Sequence, residues 1–220
     1  MNNIPNKFAP GCALMLYKPE LAQKVHDFLN DSVGKMDLYL ICCRHEPDVK
    51  EKTNIINICP GCNKRFKNNY PETTTKSLWE IIAESENFPF HDYQRKTMTI
   101  LDACPTRNEE AVQNAIRLLL KKMNINLVEP EKTKERATCC GDSFYGVLPV
   151  LKVKEQMKIR TGEMPVHDVV VYCVSCTKSV LIGGKQPHYL VDLLFNEETI
   201  EKTIEPDIWH KELDDYIAVH

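Results

Sequence analysis

All ten cysteines of the chain fall into one five-cysteine pattern that occurs twice. The first set is Cys12, Cys42-Cys43, Cys59 and Cys62; the second is Cys104, Cys139-Cys140, Cys173 and Cys176. Each reads C…CC…CxxC, and no cysteine is left over. A constellation repeated over most of 220 residues constrains the fold severely, because one thiol-bearing scaffold has to be built twice. The offset between the copies widens from 92 to 97 to 114 residues along the pattern, so the second copy carries insertions in its loops.

The residues around the cysteines repeat as well. Residues 19–29 and 108–120 follow the first cysteine of each set, with apolar positions at helical spacing and acidic first turns. Short β-branched runs, residues 55–58 and 169–172, precede each CxxC and read as buried strands. Residues 77–82 and 189–194 read as a second helix in each copy. Two further apolar runs, residues 14–17 and 98–101, read as strands. Alternating strands and helices predict an α/β fold in two similar halves, each a small sheet flanked by helices. The halves are expected at residues 1–90 and 91–200, with a seam near 88–97 where Pro89, His91 and Asp92 interrupt the pattern. Residues 201–220 are expected to form a polar C-terminal arm or helix. In such a fold Cys42, Cys59 and Cys173 end strands, and ligands gather at that edge of an open sheet.

Bulk composition narrows the function. With 28 basic and 31 acidic residues the net charge is −3, and the basic residues are dispersed, which argues against nucleic acid as a partner. No apolar stretch is long enough for a membrane span, and the first residues lack an apolar signal region. A cytoplasmic, reducing location is expected, where ten cysteines point to metal or redox chemistry rather than disulfides.

Two adjacent cysteines in an extended segment project to opposite sides, so each Cys-Cys pair is poorly suited to one tetrahedral ion. It suits two irons of one cluster. Five thiolates also exceed the four of a closed zinc site or a cubane cluster. Iron–sulfur clusters therefore lead, and zinc, possible above all at the first site, stays open. Two other readings are weaker: cysteines serving only as small core residues, and a thioredoxin-like pair at Cys59-Pro60-Gly61-Cys62.

With Cys104, Cys139-Cys140-Gly141 and Cys173/Cys176, the second half resembles the CCG-domain (cysteine-rich domain) family. Here 34 residues separate Cys104 from Cys139 and 32 separate Cys140 from Cys173. Asp102-Ala103-Cys104-Pro105, Glu163-Met164-Pro165 and residues 188–194 fit the same pattern. Within that family the chain resembles the CCG-bearing subunit of heterodisulfide reductase, which has two such motifs. More distantly, the likeness extends to the CCG subunits of anaerobic glycerol-3-phosphate and lactate-oxidising enzymes. It implies two non-cubane 4Fe–4S clusters, one held by Cys12, Cys42, Cys43, Cys59 and Cys62, the other by Cys104, Cys139, Cys140, Cys173 and Cys176. It further implies an oxidoreductase, or a subunit of one, that reduces a small disulfide or passes electrons within a redox complex. The electrons would come from a ferredoxin-like or flavin-containing partner subunit. A zinc-stabilised or purely electron-relaying subunit without its own substrate is the alternative.

The first copy departs from the pattern. Arg44 stands where the glycine should be, and only 15 residues separate Cys43 from Cys59, which predicts a more exposed or different site there. Arg44 and His45 are the candidate catalytic residues, beside Cys43. Arg107 is a candidate for an anion or substrate contact, and His188 is expected to be structural or to support a ligand. Gly183-Gly184-Lys185 reads as a tight turn, not a phosphate loop.

Overall fold

The structure is a computed structural model and describes residues 4–49 and 51–220. The chain forms two compact units, one of residues up to Glu86 together with Glu212–His220, the other Asn87–Lys211.

The first unit is a four-stranded parallel sheet of β1 (Asn6–Ala9), β2 (Asp37–Leu38), β3 (Thr53–Asn57) and β4 (Thr73–Ser77), in the order β2-β1-β3-β4. Its helices are α1 (Cys12–Tyr17), α2 (Pro19–Ser32), α3 (Pro60–Asn69) and α4 (Leu78–Glu84). The second unit repeats the plan with β5 (Thr97–Leu101), β6 (Asn126–Val128), β7 (Asp168–Val171) and β8 (Gln186–Tyr189), ordered β6-β5-β7-β8. Its helices are α5 (Glu110–Lys122), α6 (Val150–Gly162), α7 (Val174–Ile182) and α8 (Leu190–Leu194). The last helix, α9, spans Pro206–Val219.

Parallel pairing follows from the intervening helices, which return the chain to the same sheet edge before each new strand. The central strands are buried on both faces, which is why they read as unbroken β-branched runs: Ile55 and Ile56 in β3, and Val169, Val170 and Val171 in β7, are all buried. Helix starts are locally encoded. Pro19 opens α2 with Glu20 in its first turn, and Ser77 and Glu80 form a capping box on α4.

One expected strand is a helix. Residues 14–17 lie in α1, which buries Leu14 and Tyr17 one turn apart. A four-residue apolar run does not distinguish strand from buried helix; the turn at Gly11, φ 80°, ends the extended path just before it. The strand comes earlier, as β1. The C-terminal stretch is a helix whose polar surface hides a stripe of buried Trp209, Leu213 and Ile217, four residues apart. Among the described residues, no helix is long and apolar enough to cross a membrane.

Candidate functional site

In each unit the cysteines follow three neighbouring strands. Cys12 follows β1, Cys42 and Cys43 lie in the loop after β2, and Cys59 ends the path out of β3 as the residue capping α3. Cys104 follows β5, Cys139 and Cys140 come after β6, and Cys173 caps α7 behind β7. The ladder aligns these exits, with Ala9 opposite Asn57 and Leu101 opposite Val171. Thiols far apart in sequence thus meet at one carboxyl edge of each sheet.

In the first set the Sγ atoms of Cys12 and Cys42 are 3.8 Å apart. Hydrogen bonding with Cys12 and then Cys43 pulls Cys42 down to about 2. Cys12 is pushed up by that bond, by burial and by the neighbouring charge, and Cys43 is pushed up to about 12 chiefly by its bond to Cys42. A bond from Cys62 brings Cys59 down to about 7, and Cys62 rises because it serves Cys43 and Cys59. The thiols form a chain: Cys12, Cys42, Cys43, Cys62, Cys59.

The second set has the same order. Cys139 is held well below the ordinary thiol range by Cys104 and then Cys140, helped by Ser143 at 2.8 Å and the Gly141 N–H at 3.3 Å. Cys104 is raised by its bond to Cys139 and by burial. Cys140 is raised chiefly by Cys139, and Cys176 by Cys140 and Cys173. Each set thus strings five thiols into one chain, and a thiol gives up its proton when it ligates metal. Among the described residues, no three or more His, Cys, Asp or Glu side chains form a ready site for a metal ion.

What holds the thiol loops differs between the units. In the second, Asp102 is fully enclosed and accepts a bidentate bond from Arg117, both contacts 2.7 Å, plus bonds from Thr133, the Lys134 N–H and Tyr172. The Tyr172 hydroxyl accepts from the Ala103 N–H at 2.9 Å and bonds Thr106 at 2.7 Å. One carboxylate therefore ties together the residues before Cys104, the loop leading to Cys139 and the residue preceding Cys173. The corresponding positions in the first unit, two before Cys12 and one before Cys59, are Pro10 and Ile58, both buried and neither able to build such a hub. A second polar cluster flanks the same loop. Buried Lys178 pairs with Asp142 at 2.6 Å, and His210 reaches Asp142 at 3.1 Å while stacked on Tyr145.

Gly141 and Arg44 diverge for a packing reason. Gly141 has φ 105°, and a Cβ there would lie 2.6–3.0 Å from the side chain and backbone of Met157 on α6. Among the described residues, the short loop of the first unit holds no counterpart of α6 to demand a glycine. The left-handed non-glycine residues are Gln94, Arg95, Asn124, Lys134 and Asn196, so Arg44 does not imitate that conformation. Residues 212–220 cover the first site instead. Leu213 and Ile217 pack with Cys42, Cys43, Cys62 and Phe66, and the Cys42 N–H donates to the His220 carbonyl at 3.2 Å. The loss of wall expected from the shortened loop is thus offset from elsewhere in the chain. On the β1 side, Gly11 is required because a Cβ there would meet Cys59 Cβ at 3.1 Å and Cys62 Sγ at 3.4 Å.

The remaining candidates take definite places. Arg44 pairs with Asp214 at 2.8 Å, both half-exposed, and His45 Nε2 contacts the Ile217 carbonyl at 2.8 Å. Arg107 is not offered to an anion: it donates to the Ala137 carbonyl at 2.9 and 2.7 Å, two residues before Cys139. His188, opposite Val170 in the ladder, pairs at 2.6 Å with Asp168, the first residue of β7. Burial lowers its pKa despite that carboxylate. Gly184, φ 77°, makes the turn between α7 and β8. Sequence reasoning missed Tyr216, whose phenol is pushed up by burial and by the charges of Cys12 and Cys42. Its signal was the apolar stripe of α9. It also gave Tyr172 no role; an aromatic hydroxyl before a CxxC beside a buried Asp was the available clue.

No family model matches the chain, and no curated protein does. Among solved structures the chain is similar to a Picrophilus torridus aspartate racemase, with a TM-score of 0.36 and 12% identity over 98% of each chain. A likeness that weak carries no argument about fold or activity.

Proposed function

We propose that each five-thiol set binds an iron–sulfur cluster of the non-cubane 4Fe–4S kind, and that the protein is an oxidoreductase, or a subunit of one, acting on a sulfur group. The observation that carries this reading is the same order of contacts among five thiols at the same strand exits of both units. A ligand set strung out in a chain suits several metal atoms better than one tetrahedral ion. The donor set fits: all soft thiolates, with backbone N–H groups near the sulfurs, as from Gly141 to Cys139. The resemblance to the CCG-domain family points the same way, and we extend it to both halves.

Such clusters supply one-electron steps, which divide a two-electron disulfide reduction. Overall, a disulfide would take two electrons and two protons to give two thiols, the electrons coming from a ferredoxin-like or flavin-containing partner in the cytoplasm. The chain's own residues hold and orient. The Asp102–Tyr172 hub fixes three thiol loops of the second site, and residues 212–220 shield the first.

Iron, zinc and acid-labile sulfide analysis of anaerobically purified protein tests the reading. About eight irons per chain are expected, with Cys62→Ser and Cys176→Ser each losing about half. About four irons plus one zinc would assign zinc to the first site. A colourless protein carrying zinc alone would sink the cluster reading.

A further inference from the structure

We propose that Tyr216 is the specificity-determining residue of the first thiol set, a displaceable wall that decides which thiol or disulfide reaches the site beside Cys42. Its ring lines a cavity with Cys12, Cys42, Cys43 and Phe66, and the free space of about 10 Å³ holds no more than a water molecule. Cys42 itself is only 4% exposed. A sulfur substrate therefore reaches the site only when some wall moves.

The walls are not equally held. Ala9 and the residues just after it extend β1, the middle of a sheet ladder paired on both sides. Phe66 is buried on α3 and sits in the apolar cluster. Tyr216, only partly buried where Phe66 is fully buried, belongs to the last turns of α9, whose ties to this site include Cys42 to the His220 carbonyl, His45 to the Ile217 carbonyl, and Arg44 to Asp214. The last is a half-exposed ion pair of the kind that contributes little and is screened by salt. The Tyr216 ring lies flat on His220, centroids 4.0 Å apart and 3° from parallel, so the two rings can move as one flap. The second set is built otherwise, its β6-side loop packed under α6 through Gly141.

This deepens the proposed function by naming the residue that admits the sulfur substrate, yet its test needs no cluster. The full chain, reduced and stripped of metal by a chelator, is treated with iodoacetamide and with a bulkier maleimide, and each cysteine is read by mass spectrometry. In the unsubstituted protein, Cys42 should discriminate strongly against the bulkier reagent. Tyr216→Ala should speed its reaction with that reagent by about tenfold, as expected when one aromatic ring no longer holds the flap. Cys139 should not change, and Tyr216→Phe, which keeps the ring, should behave as the parent. An unchanged Cys42 would overturn the proposal. So would a rise shared by all ten cysteines, which reports lost folding, or a Phe variant as open as the Ala variant. If iron analysis fails while Cys42 behaves as stated, the cluster reading falls and the gate stands.

Discussion

Replacing Asp102 by alanine is expected to destabilise the second unit by about 2–4 kcal/mol, the cost of leaving several buried donors short of an acceptor. Arg117, only 14% exposed in its side chain, would lose its bidentate bond to Asp102 while keeping Glu129 at 2.9 Å, and the Tyr172 and Thr133 hydroxyls would lose an acceptor. Urea midpoints at pH 7 read the loss directly. The acid dependence gives a second check. Burial by itself would raise the Asp102 carboxyl, but the Arg117 bonds and charge, with the Lys134 N–H and Thr133, outweigh it and hold the group below its ordinary value of 3.8. A depressed carboxyl contributes stability that is fully present above its unfolded pKa and lost as pH falls through the folded one. The gap between parent and Asp102→Ala should therefore be widest near neutrality and narrow below about pH 4. A gap that stays constant down to acid would mean that the carboxylate charge is not what the hub uses.

Gly141→Val should be nearly as severe, and for a purely steric reason. A side chain at φ 105° costs about 1–2 kcal/mol, and forcing atoms into the Met157 backbone, 2.7 Å from where Cβ would lie, adds about 1–3 kcal/mol. The reciprocal change, Arg44→Gly, removes one half-exposed ion pair and should stay within about 0.5 kcal/mol. Denaturation of the two variants side by side checks the contrast. Equal losses would show that the glycine of the second set serves something other than packing against α6.

The halves and their sheets were legible because buried parallel strands have to be β-branched and unbroken, and residues 55–58 and 169–172 are. Thiol convergence was legible for the same reason, since each set follows strand exits that a parallel sheet aligns. Residues 14–17 misled because four apolar residues satisfy either a strand or one buried helical turn, and only the conformation of Gly11 decides between them. The first site was read as losing its wall because loop length reports local chain alone. The compensating wall arrives about 170 residues later, through Leu213, Tyr216 and Ile217, and no local spacing encodes that contact. Arg107 misled in another way: a cation near a helix start looked unpaired, but its partner is a backbone carbonyl, which sequence cannot display.

The bond from the Cys42 N–H to the His220 carbonyl has a practical side. A segment attached after His220 would start beside Cys42 of the first set. A polyhistidine tail at that end would bring a row of imidazoles, themselves metal ligands, within reach of Cys12 and Cys42 and could distort the iron count. β1 begins at Asn6, at the far edge of its sheet from the cysteines. Affinity handles for metal analysis belong at that amino-terminal side.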